Sequence, residues 1–218
     1  MREVAIFDID GTVIKGQSQK ELLFFLYLNG FISTYSFCYL LIWFILYKIN
    51  LVHKSDIPLR YALDLFKGWD ADTLRSLTKK FVNKVLVKKI YSEAIAEIGN
   101  HREKGNRILL VSNAIDPIVE ELAKYLKIPD YLCTTLEIID GRVTGQTIGK
   151  PVYGNTKVEV ISKFLEKNNL TWEQTWGYGD HITDVPFLEK TKYQFIVNPN
   201  KQLAKIATNR KWRVLYFK

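Results

Sequence analysis

The sequence predicts an α/β fold: a mostly parallel sheet covered by helices on both faces, interrupted early in the chain by an all-helical insertion. Two observations carry this prediction. Beyond residue 100, short apolar runs alternate with helix-like stretches, and strands that alternate with helices build parallel sheets. The N-terminal run Val4 to Phe7 is of the same kind, yet a long helical stretch, roughly Ser18 to Gly99, separates it from the others. The expected organisation is a core of residues 1–14 and 86–218, split by a helical insertion at 15–85.

In chain order, VAIFDIDGT drives a buried-strand pattern into Asp8 and Asp10. The helical stretch that follows has its clearest interruptions at Gly30 and Gly68. From Leu22 to Tyr47 no residue is charged, which is longer than the roughly 20 apolar residues that cross a bilayer. One crossing is excluded by topology, because Asp8 and Ser112 flank the run and must reach one site. A helical hairpin bent near Asn29-Gly30 is expected instead, buried within the insertion or laid into a membrane interface. Between Thr73 and Ser92 the charges are all basic, with Lys80, Lys84 and Lys88 along one helix face. These suit water or anionic lipid headgroups.

The alternating part opens with RILLVSN, a strand over Arg107 to Asn113, and a helix over Pro117 to Lys127. Asp140-Gly141 within TTLEIIDGRVTGQTIG signals a hairpin turn. A helix over Thr156 to Asn169, a strand over Gln174 to Gly179, and the strands in YQFIVNP and WRVLYF complete the set.

With 47% apolar and 25% charged residues in 218, the composition is that of an ordinary folded protein. Cys38 and Cys133 lie far apart without ligand-spaced partners, which argues against a disulfide framework or zinc site and for a reducing, cytoplasmic location. Met1 to Glu3 lead directly into the first strand, so no cleavable signal is expected. The net charge of +8 suggests an anionic partner. Nucleic acid is not expected, because no reader motif accompanies the charge.

The strand ends hold the chemistry. Residues two apart on a strand point the same way, so Asp8 and Asp10 are expected on one side, at the carboxyl end where parallel sheets bind ligands. Two close carboxylates repel unless a cation lies near, which suggests a hard ion such as magnesium (Mg2+). Ser112 and Asn113 end the second core strand, where a hydroxyl and a backbone N–H can hold phosphate oxygens. Lys157 falls in the first turn of a helix, a position that favours anions over cations unless an anion is bound there. GYGDHITD adds Asp180 and Asp184 beside a glycine-rich turn. Each residue has a plain structural explanation as turn, cap or surface group; their joint occurrence at successive strand ends favours a site.

These motifs resemble those of haloacid dehalogenase superfamily phosphatases, in the phosphoserine phosphatase-like subfamily whose helical cap follows the first motif. FDIDGT matches the first motif, LLVSN the second, Lys157 the third and GDHITD the fourth. The resemblance implies a Rossmann-like core and a magnesium-dependent phosphomonoester hydrolase working through an aspartyl-phosphate. Asp8 would be the nucleophile and Asp10 the general acid and base. Magnesium would be held by Asp8, the Asp10 carbonyl and Asp180, with Asp184 in support. Ser112, Lys157 and backbone N–H groups near Gly11, Thr12 and Asn113 would bind phosphate oxygens. Transfer to another acceptor, or a non-catalytic phosphate-binding module, are the alternative readings of the same fold.

The chain departs from that pattern in its substrate-facing positions. Gln17 stands where phosphoserine phosphatases carry a glutamate, and Ala62 where they carry an arginine, with Arg60 close by. His181 replaces a small residue and is a candidate to face substrate. Phosphoserine is therefore expected to be poor. The open substrate classes are a small metabolite phosphate and a lipid phosphate, the second with peripheral membrane contact through the cap.

Overall fold

A computed structural model describes residues 3–48 and 56–218 of the chain. The first strand, β1, spans Val4–Asp8 and is followed by helices α1 (Ser18–Leu28), α2 (Thr34–Lys48), α3 (Asp56–Asp64) and α4 (Ala71–Phe81). A turn of π-helix (Val82–Leu86) and one of 3-10 helix (Val87–Lys89) lead to α5 (Ser92–Glu103). Then come β2 (Arg107–Ile115), α6 (Asp116–Leu126), β3 (Asp130–Ile139), β4 (Arg142–Ile148), α7 (Asn155–Lys167) and β5 (Thr175–Gly179). The short α8 (Val185–Leu188), β6 (Tyr193–Val197), α9 (Lys201–Arg210) and β7 (Arg213–Leu215) complete the chain.

Among the described residues the strands form one 7-stranded sheet in the order β4-β3-β2-β1-β5-β6-β7. All neighbours pair in parallel except β3 and β4, the hairpin turned at Asp140-Gly141. The α/β class with a mostly parallel sheet is thus the one the sequence predicts.

Alternation along β1 sorts its side chains into two cores. Val4 and Ile6 pack with Ile161, Phe187 and Leu203 on the side of α7, α8 and α9. Ala5 and Phe7 pack with Leu74, Phe81, Ile98 and Leu122 on the side of α4, α5 and α6. A strand covered on both faces must be apolar throughout, which explains the unbroken run before Asp8. Phe7 stacks on Tyr178 at 4.2 Å and Tyr178 on Phe195 at 4.6 Å, an aromatic ladder across β1, β5 and β6.

The helices between β1 and β2 leave and rejoin the core at one place. The Lys15 amide donates to the Lys89 carbonyl at 2.7 Å, and the Tyr91 amide to that of Val13 at 3.0 Å. The hairpin of α1 and α2 turns at Asn29 to Ser33, as expected, with Tyr27 stacked on Phe37 at 4.2 Å. Farther along, the Gly68 and Ala71 amides donate to the Val143 and Gly141 carbonyls, so the β3-β4 hairpin holds the start of α4. No described helix is long and apolar enough to cross a membrane. Lys80, Lys84 and Lys88 are exposed.

Candidate active site

Asp8 ends β1 and continues the side of Val4 and Ile6, so its carboxylate faces α7. There the Lys157 ammonium donates to Asp8 Oδ1 at 2.5 Å and to Asp184 Oδ1 at 2.6 Å. All three groups are buried. Asp184 is aimed by the start of the turn it belongs to, since its Oδ2 accepts the His181 amide at 3.2 Å. Burial pushes the Asp8 carboxyl up to about 8; the Lys157 charge pulls against that shift and the Asp184 charge adds to it. For Lys157 burial disfavours the charge, but Asp184 and Asp8 outweigh it and hold the ammonium above its ordinary range.

Asp10 lines the same cavity as Asp8, on the side the spacing predicts, but its carboxylate has other partners. The strand ends at Asp8, and Gly11 turns the chain at φ +83°. The Asp10 carboxylate instead accepts from Ser18 twice, from the amide at 2.6 Å and from Oγ at 2.9 Å. Burial raises its pKa while these two bonds oppose the shift. The cluster of carboxylate oxygens lying within 4.8 Å of one another is accordingly made by Asp8, Asp180 and Asp184, without the Asp10 side chain. Burial, with the charges of Asp8 and Asp184, raises Asp180 well above the usual carboxylate range. A Cβ on Gly11 would lie 2.0 Å from Asp180 Oδ2, so only glycine lets the turn approach this acid.

Ser112 and Asn113 line the same cavity as Asp8, Asp10, Gly11 and Lys157. Ser112 Oγ accepts the Ala114 amide at 3.0 Å, and Asn113 Oδ1 accepts from Thr134 Oγ1 at 3.3 Å. The Gly11 and Thr12 amides are engaged within the turn, on the Ile14 and Ile9 carbonyls at 2.8 and 3.3 Å. Thr12 is fully buried and does not line the cavity; its Oγ1 is a buried oxygen with no hydrogen-bond partner among the described residues. The tight turn that places Asp10 thus uses two of the backbone donors expected to face phosphate, those of Gly11 and Thr12. Gln17, Ala62 and His181 do line the cavity. His181 Nδ1 pairs with Thr183 Oγ1 at 3.0 Å, and burial lowers its pKa, which favours the neutral ring.

Two features escaped the sequence reading. Ser18 marked a helix start, a position where serine serves as a cap, but its pairing with Asp10 needs the fold. The cavity wall is the other: Leu22, Leu23 and Leu26 of α1, Leu40 and Trp43 of α2, and Phe66 after α3 face the polar strand ends. Periodicity marks them as buried without distinguishing a core from a cavity wall.

The haloacid dehalogenase-like hydrolase family model matches residues 5–189, from the first strand through the Asp180 and Asp184 turn. The chain belongs to this family. Among its relatives, a probable phosphatase of Mycobacterium tuberculosis is 27% identical over 99% of this chain and 76% of its own length. A histidinol-phosphatase of Neisseria meningitidis is 25% identical over the whole of both chains. A solved structure from Bordetella pertussis, described as a protein of unknown function, superposes with a TM-score of 0.89 at 23% identity, covering 99% of this chain and 98% of that one, and shows the shared fold. At the level of family and enzyme class, the expectation of a haloacid dehalogenase-type phosphatase is met.

Proposed function

We propose that the chain is a magnesium-dependent phosphomonoester hydrolase that forms a phosphoryl-Asp8 intermediate, with residues 15–85 as a cap over the site. The observation that carries this reading is the buried contact of Lys157 with both Asp8 and Asp184 at the carboxyl ends of the central strands. A lysine there can draw in an anionic phosphoryl group and hold its oxygens beside the attacking carboxylate.

Asp8, Asp180 and Asp184 form an all-oxygen donor set of the kind hard divalent ions take, and their mutual repulsion favours a cation among them. They fit magnesium, which when bound would offset the charge between an anionic carboxylate and an anionic phosphate. An Asp8 oxygen attacks phosphorus while the bond to the leaving alcohol breaks. Asp10, held by Ser18, gives its proton to the departing oxygen. Asp10 then accepts a proton from water as that water attacks phosphorus, releasing phosphate and restoring Asp8. Ser112, with the Asn113 backbone, is suited to the non-bridging oxygens. Gln17 and His181 border the space for the leaving group. An alcohol in place of the water would give phosphotransfer from the same intermediate.

Free Cys38 and Cys133 support a reducing, cytoplasmic setting. Exposed Tyr35, Tyr39, Ile42 and Ile45 on α2 support contact of the cap with a membrane surface, as would suit a lipid phosphate. The deciding experiment is turnover of phosphate esters by wild type and Asp8→Asn, with mass spectrometry of acid-quenched protein. A phosphoryl adduct on Asp8 is expected in wild type and none in the variant. Turnover by the variant near the wild-type rate would remove Asp8 as nucleophile.

A further inference from the structure

The cavity above Asp8 encloses about 500 Å3, a volume typical of small-molecule sites. Its two sides differ in chemistry. The strand ends supply the acids, Ser112 and Lys157, whereas the helices between β1 and β2 supply leucines, Trp43, Ala62 and Phe66. Among the described lining residues Lys157 is the one lysine or arginine, and its ammonium is already held by Asp8 and Asp184. The lining carboxylates are Asp8, Asp10, Asp180 and Asp184, all beside the place a phosphoryl group would take. Among the described residues the helical wall therefore offers neither a cation for a substrate carboxylate nor an anion for a substrate ammonium. Arg60, two positions before Ala62, is exposed and outside the lining.

Resting on the phosphatase reading above, we infer that the substrate is the phosphate monoester of an uncharged, apolar alcohol. A charged leaving group would lie against leucine and tryptophan without a partner, which costs far more than apolar contact returns. An alkyl or aromatic group would fill the wall and exclude water. Gln17, Gln19 and Tyr153 line the same cavity and can serve one or two hydroxyls, but not a full charge. Both a soluble apolar ester and a lipid phosphate present this chemistry.

The test is kcat/KM for a series of straight-chain alkyl phosphates, from ethyl to octyl, beside phosphoserine and a lipid phosphate in vesicles. Each buried methylene should raise kcat/KM about threefold to fourfold until the cavity is filled, and phosphoserine should fall below ethyl phosphate. A soluble substrate is indicated if octyl phosphate equals or exceeds the vesicle-borne ester, and a lipid if the vesicle-borne ester is favoured. Trp43→Ala should flatten the chain-length dependence, lowering kcat/KM for octyl phosphate more than for ethyl phosphate. Should that variant fail to fold, the wild-type series decides alone. A flat series, or a preference for phosphoserine, overturns the apolar assignment and leaves the phosphatase reading intact. If no ester is hydrolysed, the phosphatase reading fails and this inference with it.

Discussion

Asp8 and Asp10 are two residues apart, yet their carboxylates have separate partners and, in the proposed reaction, separate tasks. Asp8 is paired with Lys157, and Asp10 with Ser18 at the start of α1. Ser18→Ala removes the hydroxyl bond but keeps the amide one, so Asp10 should be held less firmly. A loss of about tenfold in kcat is expected for alkyl phosphates, consistent with one hydrogen bond to a charged group, and a smaller loss for nitrophenyl phosphate, whose leaving group needs no proton. Equal losses on both esters would show that Ser18 acts on folding and not through Asp10. His101 offers a pH prediction away from the site. Its Nε2 meets Tyr178 Oη at 2.8 Å and its Nδ1 meets Asn106 at 3.0 Å, beneath the aromatic ladder. Burial, with the Lys104 charge beside it and Glu3 opposing, lowers its pKa from 6.5 to about 4. The unfolded chain binds the proton more readily between those values, so this group's contribution is complete above pH 6.5 and is lost as pH falls toward 4. Asp8, Asp10 and Asp180, whose pKa values burial raises, titrate with the opposite sign. The measurement is therefore the difference in unfolding free energy between wild type and His101→Gln, which should shrink across that window and stay level above it.

The β3-β4 hairpin has a role beyond closing the sheet. It carries the only antiparallel pairing among the described strands, and its outer edge receives the chain between α3 and α4 through Gly68, Trp69 and Ala71. At Gly145, φ is +83° and a Cβ would lie 2.9 Å from Asp64 Oδ1 at the end of α3. Gly145→Ala should therefore strain β4 and push α3 off the hairpin, with a loss of about 1–2 kcal/mol from the backbone conformation alone. Urea unfolding measures it, and an unchanged midpoint would show that α3 is not braced there. Because α3 supplies Ala62 and Leu63 to the cavity, KM should rise in the same variant.

In the whole molecule, the three clustered carboxylates and the apolar helices set opposite demands. Magnesium at a hundred times its dissociation constant should stabilise the fold by about 2.7 kcal/mol, seen as a rise in Tm. Asp180→Asn should remove most of that rise, and chelation should abolish turnover. A Tm indifferent to magnesium would place the ion elsewhere. The exposed face of α2 predicts flotation with anionic vesicles that weakens as salt is added, because any contribution from the exposed lysines is screened. If the protein ignores vesicles at low salt, α2 is covered by something other than lipid.

The order of the motifs and the α/β class were legible in the sequence because both are local: alternation buries a strand on two faces, and strand ends announce themselves by Asp, Ser, Asn and Gly. The hairpin at Asp140-Gly141 and the turn near Gly30 were readable for the same reason. The separate partners of Asp8 and Asp10, the Ser18 contact, the spent amides of Gly11 and Thr12, and the cavity wall were not. Lys157 reaches Asp8 across 149 positions of chain, and Leu22 has the same apolar pattern whether it faces a neighbouring helix or a substrate. Such contacts depend on where the sheet ends and how the inserted helices lean over it, and hydrophobic periodicity records burial but not what does the burying.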